Sequence, residues 1–404
     1  MASSSKKQVD FAPAHQVPVH FLGISQIMSY GFLFYAFALL RDPLAAHLGI
    51  APQIVLTAVS GALLIQGVMS FTVGKWTDEY GGLRVMTIGF LIGAIGLASL
   101  TLITNIIMMC FSFLLIGLAI AMCTYEVAFS TVVQLEEKRS RWLISVVSFY
   151  GGVASSLAWV SLQPILTSSG FVAACLFSAG LLLVMACFAG YYSKKRQPRR
   201  IANEPLTPFS YRSLLPTEQR ALIILAFASG MEYFTFAAVA LFWIAWFTAL
   251  FGDVTTAVWL AAIYGPFQVV GRLIEMRAAA SIDARITGLI AACMTPLTLY
   301  LAQFADIRVA VITMMLFGIG HGILTVTFGF VTNLYFRAAI YGRAKGIIAA
   351  PRAIGMAIGP LVAGLIYGHN PDYFMPSFIA SSLMVTILLA VLLRLKPTNE
   401  VHHR

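Results

Sequence analysis

Apolar runs of about 20 residues, the length that crosses the hydrocarbon core of a bilayer, recur along this chain from end to end. They are readable at about 19–41, 53–74, 84–104, 106–133, 142–166 and 171–192. After a polar stretch they resume at about 220–248, 254–275, 286–304, 308–336, 345–367 and 373–394. A chain of 404 residues that is 59% hydrophobic and 10% charged carries too little charge to cover a soluble surface. The pattern predicts an all-α polytopic membrane protein with twelve transmembrane helices.

The net charge of +10 is a topology signal. With both termini inside, all but three of the 26 basic residues fall on the cytoplasmic side, the bias expected of a membrane protein. The exceptions are Arg41 and Arg308 on the outer side and Arg352 within a span. Nucleic acid is not an expected partner. The expected location is a bacterial-type inner (plasma) membrane with cytoplasmic termini, and the expected assembly a monomer. Cys110, Cys123, Cys175, Cys187 and Cys293 all lie inside apolar runs and form no CxxC pair, so neither a metal nor a disulfide framework is expected.

Residues 194–218 combine Lys194, Lys195, Arg196, Arg199 and Arg200 with Pro198, Pro205, Pro208 and Pro216. Proline and like charge resist compact packing, so this segment reads as a cytoplasmic linker. It divides a first six-helix bundle, 1–193, from a second, 219–404. The linker also reads as a patch for anionic lipid. Gly74-Lys75-Trp76-Thr77-Asp78 after the second span and Gly271-Arg272-Leu273-Ile274-Glu275 after the eighth both read Gly-basic-x-x-acidic. Their offset matches that between the first and seventh spans, so the halves are expected to be pseudo-symmetric repeats.

The loop Gly74-Lys-Trp-Thr-Asp78-Glu-Tyr-Gly81-Gly82-Leu-Arg84 is similar to the signature loop of the major facilitator superfamily, with Glu79 where a basic residue is usual. On this loop, the length, the twelve spans and the central basic linker, the whole chain resembles that family of secondary transporters. The family's Arg-x-x-x-Gly marker in the fourth span is absent, its place taken by Ser112-Phe-Leu-Leu-Ile-Gly117, so no particular proton-coupling scheme carries over. The resemblance implies two bundles around a cavity that opens alternately to each side. Spans 1, 4, 7 and 10 would line it, 2, 5, 8 and 11 would form the interface between halves, and 3, 6, 9 and 12 would face lipid. It also implies a conformational-switch loop of Gly74, Asp78, Gly81 and Arg84, echoed by Gly271, Arg272 and Glu275. Asp78 would pair with the start of span eleven near Arg343 and Lys345.

An ionisable side chain within a span costs roughly 2.5–3.5 kcal/mol at mid-helix on insertion scales, which makes each a functional candidate. Here these are Glu126, Glu232 and Arg352, with His321 the one histidine deep in a helix. Glu126, Glu232 and His321 are candidates for carrying a coupling proton; the alternative is a fixed bond from Glu126 or Glu232 to Arg352. Arg352 either grips an anionic group of a substrate with its planar fork or forms a structural ion pair. His321 could equally be a packing residue. Tyr30, Tyr35, Tyr125 and Tyr150 could orient a solute by hydrogen bonds, as could Tyr233, Tyr264, Gln66 and Gln268, or they could simply pack. Arg41 and Asp42 read as an outer-rim pair.

No Walker, GxSxG, HExxH or dinucleotide-binding motif stands at a plausible place, so no cofactor and no enzymatic reaction are expected. The leading expectation is a carrier of a small organic solute working by alternating access with proton coupling. The alternatives are an organic-anion exchanger centred on Arg352 and a membrane receptor or assembly factor that keeps the fold without transport.

Overall fold

The computed structural model describes residues 18–135, 140–195, 211–278, 282–336 and 338–398. Among them, eleven helical segments are long and apolar enough to cross a bilayer, and one of these, Leu143–Lys195, holds two crossings. Gly170, at φ +80° and ψ −176°, breaks it, a conformation that glycine adopts without the clash a Cβ would bring. The twelve spans are α1 (19–48), α2 (52–80), α3 (82–99), α4 (106–135), α5 (140–169) and α6 (171–195), followed by α7 (216–251), α8 (254–278), α9 (284–301), α10 (307–335), α11 (338–369) and α12 (374–393).

Packing repeats between the halves. In the first, α1 packs on α5, α2 on α4, and α3 on both α4 and α6. In the second, α7 packs on α11, α8 on α10, and α9 on both α10 and α12. The halves meet along α2 against α11 and α5 against α8. These are the interface spans that the resemblance implied.

Several spans near the centre are interrupted. Residues 31–35 of α1 form a π-helical turn, which leaves carbonyls out of register; Trp159 Nε1 donates to the Tyr35 carbonyl at 2.8 Å. In α4, Thr124 is extended, and the Cys123 carbonyl is met by Gln26 Nε2 and Ser29 Oγ, both at 3.1 Å. Irregular backbone at membrane depth requires such internal partners. α7 is interrupted at 241–242 and α8 at Ile263. The N-cap of α8, Asp253, accepts bonds from the amides of Thr255 and Thr256. Hydrogen bonds from Thr256 and then Thr255 hold its carboxyl below the usual range.

The sequence reading of 74–84 as a loop needs correction. α2 remains helical to Tyr80, and only Gly81, at φ +86°, breaks it before α3. Arg84 lies exposed in the first turn of α3, and Gly74 has open space beside it. Gly271, Arg272 and Glu275 likewise lie inside α8 and are buried. With neither proline nor an extended polar run to stop them, these helices continue past the apolar stretch. The side chains of Asp78, Arg343 and Lys345, and linker residues 196–210, lie outside the described residues.

The hydrophobic core shows where the halves are joined. One cluster unites the first half with residues 236–247, 257–264 and 357–378 of the second. A separate cluster, with Leu214, Leu225, Leu324 and Leu389, belongs to the second half alone, on the side from which the linker leaves. Residues 31–41 of α1 and 235–244 of α7 are buried without a break, whereas both helices expose side chains toward the linker face. The halves are therefore packed together on the far face and part toward the linker face.

α11 approaches α7 closely enough that a Cβ on Gly355 would meet the Gly230 carbonyl, and one on Gly359 the Phe234 carbonyl. Overpacking of a tight core costs about 1–3 kcal/mol. Gly355→Val is therefore expected to lower the detergent melting temperature by several degrees, and Gly180→Val, where space is open, to leave it unchanged. Equal melting of the two would mean that this helix contact is looser than described.

Candidate functional site

The break at Thr124 starts a new helix at Tyr125 and Glu126, so both side chains leave the backbone where α4 faces the second half. Glu126 Oε1 accepts a 3.3 Å bond from Arg352 Nη2 of α11, and its Oε2 a 3.3 Å bond from Thr124 Oγ1. The side chains of Arg352 and Glu126 are 36% and 52% exposed, so they line an opening rather than a core. The Arg352 guanidinium stands 5.0 Å from the centre of the Tyr233 ring. On the other side, Tyr125 packs on Tyr30 with centroids 4.9 Å apart and stacks on Phe129 at 4.8 Å.

A second, buried group lies in the other half. Glu232 on α7 and His321 on α10 are 3% and 4% exposed. His321 Nδ1 is 3.4 Å from Glu232 Oε1, and Glu232 Oε2 has no hydrogen-bond partner. The His321 ring stacks on Phe236 with centroids 4.0 Å apart, and Tyr264 lies 6.0 Å away. Together the two side chains can hold one proton. With it they are jointly neutral; without it they carry one buried negative charge.

Between these groups runs a seam that the sequence did not disclose. Arg272 of α8 donates from Nη1 to the Ser148 carbonyl of α5, which also accepts from Tyr125 Oη at 3.1 Å. Gln268 Nε2 donates to Tyr264 Oη at 2.7 Å, and Tyr35 packs edge-on to Trp159 and to Phe236 across the halves.

The structure thus brings Tyr30, Tyr35, Tyr125, Tyr233, Tyr264 and Gln268 together around Glu126, Arg352, Glu232 and His321. Tyr150 sits nearer the linker face, its hydroxyl 2.6 Å from His20 Nδ1. Gln66, half-buried on α2, is joined to the group by no described contact. Of the two pairings considered for Arg352, geometry selects Glu126; Glu232 pairs with His321 instead. Among the described residues no group of His, Cys, Asp or Glu is arranged to hold a metal. Glu275 on α8 accepts a 2.9 Å bond from Thr287 Oγ1, inside the second half and away from the seam.

On the far face Arg41 is buried, held by Asp42 at 2.6 and 2.8 Å, with its guanidinium 4.9 Å from the Phe242 ring of the second half. Gln163 Nε2 of α5 donates to Thr255 Oγ1 of α8 at 3.1 Å. The rim pair read from the sequence is thus also a contact between halves.

A family model described as Major Facilitator Superfamily matches residues 22–252. Among solved structures, the chain is similar to a point mutant of the nucleoside transporter NupG, with a TM-score of 0.75 at 15% identity over 93% of this chain and 99% of that one. It is also similar to a bacterial homologue of the human lysosomal transporter Spinster in an inward-facing, occupied conformation. That likeness has a TM-score of 0.70 at 13% identity over 95% of this chain and 97% of that one. No curated protein matches at a significant level.

Proposed function

The chain belongs to the Major Facilitator Superfamily, and on that premise we propose that it carries a small organic solute across its membrane by alternating access, driven by coupled protons. The two bodies that move are 1–193 and 219–404, joined by the linker 194–218. The linker face is cytoplasmic in this reading, following the distribution of Lys and Arg. The membrane is a bacterial-type inner membrane and the working unit a monomer.

One observation supports the coupling most directly: a buried acid, Glu232, bonded to a buried imidazole, His321, beside the seam along which the halves must part. Ionisable groups kept at membrane depth serve as proton relays in carriers. The half-exposed Arg352, with spare donors on its fork, favours the second reading, an exchanger of organic anions.

Reconstitution separates them. A thermal-shift screen of metabolites at two pH values finds the ligand, because binding raises the melting temperature by mass action. Proteoliposomes are then expected to accumulate that ligand when a pH gradient is imposed and to lose accumulation on adding an uncoupler. Flux that ignores the uncoupler and requires counter-solute would establish the exchanger instead.

A further inference from the structure

Glu126 and Arg352 come from opposite halves, and their contact is one 3.3 Å hydrogen bond between side chains that both remain open to water. A solute entering the cleft meets this pair, and its charge decides what it leaves behind. A monoanion that takes Arg352 leaves Glu126 facing the cleft without its cation. A monocation that takes Glu126 leaves the guanidinium without its anion. Either remainder becomes costly once the halves close around the solute and water leaves the cleft. A solute carrying both signs replaces each partner, keeps the cleft neutral and bridges the two halves through itself.

The surroundings of each charge fit such a solute. On the Glu126 side stands Tyr30, packed on Tyr125, an aromatic neighbour of the kind that attracts a cationic group. Arg352 has further donors in its planar fork, which matches a carboxylate. Resting on the transport reading above, we propose that the cleft binds a small zwitterion of the amino-acid or betaine class. Its carboxylate sits on Arg352 and its ammonium group on Glu126, in place of the direct ion pair.

The test uses the full chain in detergent and three sets of probes: the neutral amino acids with glycine betaine, their N-acetyl derivatives as monoanions, and their amides as monocations. A rise in melting temperature is expected from one or more zwitterions and from neither singly charged set. Glu126→Gln should weaken that zwitterion by an order of magnitude. It should also tighten the N-acetyl derivative, because the guanidinium has lost its competitor; a merely structural pair would not produce that reversal. Absence of any zwitterion shift, shifts confined to singly charged or uncharged probes, or unchanged affinities in Glu126→Gln would overturn the assignment. A singly charged ligand that proteoliposomes accumulate sinks the zwitterion and leaves transport standing. A zwitterion that binds and is never moved does the reverse.

Discussion

Glu232→Gln is expected to abolish pH-gradient-driven accumulation, by more than an order of magnitude, while leaving downhill exchange of solute near its parental rate. The amide matches the carboxyl in shape and can still bond His321, so the packing against Phe236 survives. What is lost is the site that binds and gives up a proton. Exchange that returns the carrier loaded needs no such release, whereas net accumulation does. The unpartnered Oε2 gives no reason to expect a change in stability. A buried acceptor without a partner costs about 1–3 kcal/mol, a cost the fold carries here and the amide does not remove. Proteoliposomes with an imposed pH gradient and, separately, equal pH with counter-solute provide the measurement. Parental accumulation by Glu232→Gln would remove this carboxyl from the coupling.

The spans were legible because hydrocarbon demands long apolar runs, and that demand is local in sequence. Division into halves was legible from the linker and from the paired Gly-basic-x-x-acidic segments. What escaped was anything set by distance across the bundle. Glu126 and Arg352 lie 226 positions apart, Glu232 and His321 89 apart. Both acids were candidates, but nothing local says which of them reaches the guanidinium. The break at Thr124 was illegible for a related reason. It has no proline or glycine to announce it, and it is supported by Gln26 and Ser29 from another helix. Arg272 was misread because its position after an apolar run suggested a cytoplasmic turn. Its partner, a backbone carbonyl on α5, has no sequence signature at all.

Arg41→Met is expected to shift the carrier toward the state open on the far face. In the present state Arg41 is buried in the first half, and its charge lies over Phe242 in the second. Phe242 lies at the interruption of α7 at 241–242. The contact exists only while the far face is closed, so it favours that state by whatever it is worth. A cation over an aromatic face contributes about 0.5–2 kcal/mol, which converts to a population ratio of roughly two- to thirtyfold. Methionine keeps most of the apolar stem, and the remaining Asp42 is largely exposed, so neither half should lose much stability. On a background without the five native cysteines, Ala262→Cys would report on the seam, since Ala262 is buried where Ser156 of the first half donates to its carbonyl. Its labelling by an impermeant maleimide should quicken when Arg41→Met is added, with the melting temperature held. Equal labelling rates would show that the continuous apolar packing of residues 31–41 and 235–244 closes this face without help from the charge.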